Sequence, residues 1–312
     1  MTIQRNRSLL TYKAETVYGT APTGDFTPVL IMRDPEISPF VADRLERTTT
    51  RPWFGADRKR LINRRVTLSF SLEDGGSGSP GVAPAYGGLL VACGMAEATV
   101  ASTSVTYTTV NTGMGSVAIR WFEDGIRHQV LGCFGTPTWR RNSGEFPMIE
   151  FEFQGLYSQP TDVAFTAATY ANQGLPLEVN STNTPTVTIN NVSNCMSEYE
   201  LALNNSVTFS DYAGCPIKRF EITGRNPEGR IQVEDKLIAG QNFYALAESD
   251  AMIPIVVGHT GATAGLRSTI TTTNSDMYEP TFATRDENTR FINLPFSPIS
   301  TDGTSELSVV YT

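Results

Sequence analysis

Arg65-Val66-Thr67-Leu68-Ser69-Phe70-Ser71-Leu72 alternates polar and apolar residues without a break. Successive side chains of a strand point to opposite faces, so Val66, Leu68, Phe70 and Leu72 share one face and the hydroxyl-bearing residues the other. Met148-Ile149-Glu150-Phe151-Glu152-Phe153 repeats the pattern, with Glu150 and Glu152 on the wet side, and Glu306-Leu307-Ser308-Val309-Val310-Tyr311 ends the chain the same way. Such alternation predicts sheets with one buried and one solvated face. Further strands are expected over 104–109, 116–122, 126–133, 186–190, 217–223, 253–257, 268–273 and 289–294. Turn-forming runs separate them, among them Glu123-Asp124-Gly125, Asn142-Ser143-Gly144, Asn204-Asn205, Asn226-Pro227-Glu228-Gly229 and Asp302-Gly303.

Only two stretches predict helix. One is 85–93, after Pro84; the other is 242–249, where Asn242 can cap the first turn. Each follows a strand and a Gly-containing polar loop, and each is followed by several strands ending in an alternating one. That order predicts a mainly β protein of two similar domains, each a β-sandwich or barrel with one short flanking helix. The expected division is an N-terminal arm at 1–28, a first β domain at 29–157, a linker at 158–184 and a second β domain at 185–312. Sequence identity between the two units is slight, so the inference rests on the order of elements.

Composition agrees with this class. The 312 residues are 40% hydrophobic, enough for a sizeable core, and only 18% charged. The net charge of -8 argues against general nucleic-acid binding, which needs clustered cations. The charge is uneven: 16 Lys+Arg against 15 Asp+Glu in 1–157 gives +1, and 8 against 17 in 158–312 gives -9. The four cysteines, Cys93, Cys133, Cys195 and Cys215, form no C-x-x-C pair and are expected as buried thiols in a reducing compartment. Residues 1–15 hold no apolar stretch of secretory type, so folding in a cytoplasm is expected.

Chemistry-bearing motifs are scarce. There are two histidines, His128 in a strand and His259 in a Gly-rich turn, and neither adjoins a nucleophile elbow. H-E-x-x-H and the P-loop pattern are absent. Gly76-Ser77-Gly78-Ser79-Pro80-Gly81 fits G-x-G-x-x-G, but Pro80 and Pro84 interrupt the helix entry that a dinucleotide site needs, so a flexible surface loop is expected. Glu150 with Glu152 reads as a solvated strand face. Asp286-Glu287 and Glu234-Asp235 lack the spaced carboxylates of a calcium loop. No catalytic, cofactor-binding or metal site is expected, and the chain is not expected to be an enzyme.

The densest charge lies at 42–65, where Arg44, Arg47, Arg51, Arg58, Lys59 and Arg60 surround Trp53 and Phe54. Arg and aromatic residues are enriched at protein–protein interfaces, so this segment is expected to be an arm or hairpin docking on a neighbouring subunit. Tyr12 and Tyr18 join these as candidate contact residues.

Several stretches resemble the major tail tube proteins of siphophages. Lys13-Ala14-Glu15-Thr16-Val17-Tyr18-Gly19-Thr20 is similar to their K-x-E-x-x-Y-G-T opening, and 84–95, ending Cys93-Gly94-Met95, to their short helix. Asn226-Pro227-Glu228-Gly229 resembles their N-P-x-G strand end, and Tyr278-Glu279-Pro280 with Arg285-Asp286 their late Y-x-x-P…R-D segment. The resemblance implies a virion protein, assembled in the host cytoplasm, whose rings stack into a tube that conducts DNA without binding it specifically. It implies as partners further copies of the chain, a tape-measure protein, a tail terminator and distal tail proteins. A duplicated chain implies a homotrimeric ring of pseudo-six-fold symmetry, and a single tube domain with an immunoglobulin-like decoration at 185–312 implies a hexamer. The alternatives are a tail-tip or baseplate part, or a carbohydrate-binding β-sandwich with exposed aromatics on one sheet face.

Overall fold

The computed structural model describes residues 7–33, 35–164, 167–249, 251–261, 263–284 and 289–312. The alternating stretches form strands as expected, and several run further than their patterns. In chain order the elements are β1 (Ser8–Ala14), β2 (Thr27–Val29), β3 (Glu36–Leu45), β4 (Arg60–Glu73), α1 (Gly87–Ala92), β5 (Met95–Val100), β6 (Ser104–Thr109), β7 (Val117–Glu123), β8 (Ile126–Arg140), β9 (Met148–Tyr157) and β10 (Thr161–Asp162). There follow β11 (Thr186–Ile189), β12 (Val192–Ser193), β13 (Met196–Ala202), β14 (Asn205–Ser210), β15 (Arg219–Arg225), β16 (Glu228–Glu234), α2 (Phe243–Glu248), β17 (Ile253–His259), β18 (Ser268–Met277), β19 (Thr281–Thr284), β20 (Arg290–Pro298) and β21 (Ser308–Tyr311).

Eight strands make one continuous antiparallel sheet in the order β3-β4-β9-β8-β13-β16-β20-β19. The first four strands lie within 36–157 and the last four within 196–298. Each set runs as an antiparallel pair, then a late strand, then the strand preceding it in the chain; β3 and β4 are consecutive, whereas β14 and β15 intervene between β13 and β16 as a separate two-stranded sheet. At the centre Thr138, Trp139 and Arg140 of β8 face Ala202, Leu201 and Glu200 of β13. The opposing layer is built from β2-β1-β7-β8 and from β5-β6-β21-β18-β17-β11-β12. Strand β8 serves both layers because it bends: its register with β9 shifts between Leu131 and Phe134, where Gly132 takes a φ of 58°. Strand β18 turns the other corner, pairing β21 through 268–271 and β20 through 275–277.

Inward residues of both halves enclose a single core. Phe70, Phe151, Phe153, Tyr199, Leu294 and Phe296 of the eight-stranded sheet meet Leu10, Trp121, Tyr107, Ile270 and Val309 of the opposing layer. Helix α2 is capped as expected, with Asn242 Oδ1 accepting from Ala245 N–H at 3.0 Å. Helix α1 buries Gly87, Leu89, Leu90 and Ala92.

Three expectations are corrected. Residues 8–14, expected within an arm, form a full strand beside β7, with Leu9, Leu10 and Tyr12 buried; apolar neighbours on both faces erased the alternation that marks a half-buried strand. The 76–81 loop is not a loose surface loop. Gly76 O accepts from Gly174 N–H at 3.1 Å and Gly78 N–H donates to Gly265 O at 3.0 Å, so first half, linker and second half meet there. A Cβ on Gly76 would come within 2.5 Å of Gly265 O, which explains the glycine chemically. Of the four free cysteines only Cys93 and Cys133 are buried; Cys195 and Cys215 sit in exposed turns.

Candidate assembly surfaces

Beneath the loop at 76–81 lies a buried polar knot. Asp74 and Arg141 are each about 1% exposed and pair at 3.2 Å. Asp74 also accepts from the hydroxyls of Tyr86 (3.0 Å), Tyr311 (2.8 Å) and Ser268 (3.3 Å), while Arg141 donates to Val257 O at 2.7 Å and to Ser268 Oγ at 2.8 Å. Asp74, Tyr86 and Arg141 come from the first half, and Val257, Ser268 and Tyr311 from the second. Nearby His259 is buried, with Nδ1 at 2.8 Å from Thr184 Oγ1. Burial, then the charge of Arg141, hold its imidazole below the ordinary value, against opposite pulls from Asp74 and Glu178. The other histidine, His128, lies in β8 opposite Trp121. The knot ties the two halves together, and the hydroxyl that His259 meets, that of Thr184, is itself buried.

A second cross-half tie runs through Arg225, which pairs with Glu306 of its own half, both poorly exposed, and donates to Val110 O and Asn111 Oδ1 of the first half at 3.2 Å each. These contacts join the two halves, which also share one hydrophobic core.

Two outward features stand out. The first is the solvated face of the eight-stranded sheet. Along β9, β8, β13 and β16 it carries Glu150, Glu152, Glu198, Glu200, Glu228 and Glu234 against Arg140 and Arg230, six carboxylates to two guanidinium groups. Arg140 bridges Glu150 at 3.2 Å and Glu200 at 3.8 Å, and Arg230 lies 3.6 Å from Glu200. The face is therefore acidic, with Arg140 held at the β8–β13 seam and Arg230 between β13 and β16.

The second is the hairpin β3–β4. Strand β4 pairs with β9 only from Arg65 onward, so residues 60–64 pair with β3 alone and the hairpin projects from the sheet. Its loop displays Trp53 at 66% and Phe54 at 108% exposure. Arg44, Arg47, Arg51, Arg58, Lys59 and Arg60 are all exposed on it. Arg51 pairs with Asp57, Lys59 with Glu46, and Arg65 with Asp43 at 3.1 Å; among the described residues no ion pair engages Arg44, Arg47, Arg58 or Arg60. Eight cations against three carboxylates give 42–65 a net charge of +5.

The two tyrosines are placed differently. Tyr12 is buried; its hydroxyl donates to Ala85 O at 2.7 Å and accepts from Gly88 N–H at 3.1 Å. Tyr18 accepts from Phe220 N–H at 2.6 Å and donates to Gly132 O at 3.3 Å. Burial pushes both phenols up to about 12, so both keep their donor proton at neutral pH. Of the tryptophans, Trp121 and Trp139 are buried and only Trp53 is presented to solvent, which leaves no tryptophan platform on a sheet face. Glu234-Asp235 stands at the end of β16, with Asp235 paired to Arg290 at 2.6 Å; Asp286-Glu287 and Arg285-Asp286 lie outside the described residues. Among the described residues no cluster of three or more His, Cys, Asp or Glu forms a metal cage.

The structure thus presents a β-sandwich with an open sheet, one acidic sheet face and one projecting basic hairpin. The profile of the phage tail tube proteins matches residues 5–312. The chain belongs to the phage tail tube protein family. No curated protein matches it significantly. Family membership marks a structural component of a virion tail that self-assembles into a tube.

The sequence signal for the hairpin was its density of Arg and aromatic residues. The inward Arg141 was missed, although alternation continued through Trp139 and Arg140 already turns it toward the core.

Proposed function

We propose that this tail tube protein is the major tube subunit of a siphophage, whose long tail does not contract, and that it acts by assembly alone, without catalysis. Copies close head to tail into rings, rings stack, and the lumen carries DNA from capsid to host. The observation that carries this reading is the open eight-stranded sheet with one acidic face. An open edge is a row of unpaired N–H and C=O groups, and pairing it with another copy satisfies them. A heterologous contact that closes by rotation gives a ring.

Residues 29–157 and 185–312 act in this reading as tandem units joined by 158–184, and 1–28 contributes both a strand and a docking segment. The repeated strand order across the sheet supports duplication over an immunoglobulin-like decoration, and with it a homotrimeric ring of pseudo-six-fold symmetry. Stacking runs through the hairpin at 42–65, whose Trp53, Phe54 and unpaired arginines reach the next ring. Assembly takes place in the host cytoplasm with a tape-measure protein, and a terminator and distal tail proteins close the two ends.

The acidic face lines the lumen. Its carboxylates repel phosphates over a Debye length of about 8 Å at physiological salt, so DNA slides without adhering. Replacing Glu152 and Glu198 together by Lys is expected to slow DNA ejection from virions whose tails still assemble; ejection at the normal rate would remove the lumen assignment. The tube reading itself is tested by labelling virions with antibody to this chain. Decoration along the whole tail is the expected outcome, and decoration of the tip alone would make the chain a tip protein.

A further inference from the structure

We infer that the cleft between the two hairpins of one copy is a docking site for the apolar turn at 235–240 of a second copy, so that neighbouring rings are joined through Leu237 and Ile238. This inference rests on the ring reading above and names a ring-to-ring contact separate from the Trp53–Phe54 loop.

The turn presents apolar side chains to water. Leu237 is 86% exposed and Ile238 58%; among the described large apolar side chains only Phe54 is more exposed than Leu237. Hydrogen bonds pin the turn all the same. Leu237 O accepts from Gly240 N–H at 2.8 Å and from Gln241 N–H at 3.2 Å. Gln241 Nε2 donates to Ile189 O at 3.0 Å, and Lys236 Nζ donates to Ser193 O. Two aliphatic side chains held outward by a pinned turn mark a contact surface. Its surroundings are acidic. Residues 234–250 hold four carboxylates against Lys236, a net charge of -3. Asp235 pairs with Arg290, whereas Glu234 and Glu248 are exposed and engage no ion pair among the described residues.

The cleft is the complement. It opens, with a volume of about 730 Å³, where the base of the β3–β4 hairpin, the end of β9 and the loop of the β14–β15 hairpin meet. Leu45, Leu61 and Ile217 line it and are all exposed. Arg60, Arg64 and Lys218 line it too, and none of its described lining residues is a carboxylate. Lys218 pairs with Asp211 at 2.6 Å; among the described residues no ion pair engages Arg60 or Arg64. The cleft is thus apolar and basic where the turn is apolar and acidic.

Strand direction makes the occupant a second copy. Strand β4 is antiparallel to β9, β9 to β8, β8 to β13 and β13 to β16, so β4 and β16 point the same way. The cleft lies at the start of β4 and the turn just past the end of β16, at opposite ends of the sheet. The turn therefore cannot fill the cleft of its own chain. Stacking two copies end to end along the strands carries the turn of one toward the cleft of the other, a heterologous contact that repeats from ring to ring. A two-fold contact of cleft on cleft would instead oppose the arginines to each other.

The test compares rings and tubes of the full chain by electron microscopy. Leu237→Asp with Ile238→Asp is expected to retain rings and lose tubes, since both side chains are exposed in the free subunit. Arg60→Glu with Arg64→Glu should also lose tubes. Adding Glu234→Lys and Glu248→Lys to that pair should restore them, a rescue that a local disturbance would not give. A covalent probe is independent of tube length. In a chain carrying Cys195→Ser, Leu237→Cys and the exposed Cys215 beside the cleft are bridged with a short bismaleimide. Links between copies are expected in tubes, and none in separated rings or after Cys215→Ser. Full-length tubes from the Leu237→Asp, Ile238→Asp chain, an unrescued charge exchange, or tubes without a link to Cys215 would each overturn the contact and leave the tube reading standing. Failure of the unaltered chain to appear in any ring or tube, including the virion tail, would overturn both.

Discussion

Asp74 and Arg141 show what single residues contribute here. Neither is placed to act on a ligand; together they fasten the first half of the chain to the second through Tyr86, Tyr311, Ser268 and Val257. Removing one member of such a pair leaves the other charge buried and uncompensated. Asp74→Ala is therefore expected to cost about 3–5 kcal/mol, read from chemical denaturation of the subunit. A loss below about 1 kcal/mol would mean that water replaces the missing partner. His259 makes a pH prediction. Its folded value lies below the ordinary 6.5, so on acidification the unfolded chain takes up a proton before the folded chain does. The stability held above that range is lost as pH falls through the folded value, and His259→Gln should flatten this part of the slope. Urea unfolding at about pH 7.5 and about pH 5.5 compares the two proteins; equal slopes would assign the loss to carboxylates instead. Residue-level reading of the sequence placed His259 in a turn, because Gly258 and Gly261 hid the end of a strand. It missed Asp74, since a carboxylate after a strand reads as a turn residue until its partners are known.

Elements carry the next level. Strands with one wet face were legible, because alternation is the direct trace of a half-buried sheet; β6 and β9 are examples. Strand β1 was not, because burial on both sides leaves no alternation. Its integration predicts that Leu10→Ala costs about 2–5 kcal/mol, a loss an accessory arm would not suffer. Calorimetry or denaturant unfolding decides it. The hairpin predicts the opposite behaviour. Trp53 and Phe54 are exposed and pack on little of their own subunit, so Trp53→Ala with Phe54→Ala should leave subunit stability within about 0.5 kcal/mol while reducing the length or yield of tubes. Full-length tubes from this variant would remove the loop from ring stacking. The composition of 42–65 marked this segment as a candidate contact surface. The geometry of β3 and β4 could not be read there, because bulges at Ser38–Val41 and Val41–Asp43 break the period-2 pattern.

At the scale of the whole molecule, the fold joins two features that are separate along the sequence: a repeated order of elements and an excess of acid in the second half. The eight-stranded sheet makes the repeat visible as strand order, and its wet face draws carboxylates from both halves, Glu150 and Glu152 as well as Glu198 and Glu200. Sequence reading left the proposed ring between trimer and hexamer, since its symmetry depends on how different copies meet. The central claim is that this chain, by its own edges and hairpin, builds a tube. Electron microscopy of the purified chain at high concentration, with mass by light scattering, tests it most directly. The account predicts hollow tubes or rings of uniform width, a ring mass of three subunits and six similar lobes around the lumen. A population of compact monomers that neither closes into rings nor extends existing tail tubes when added to them would contradict it.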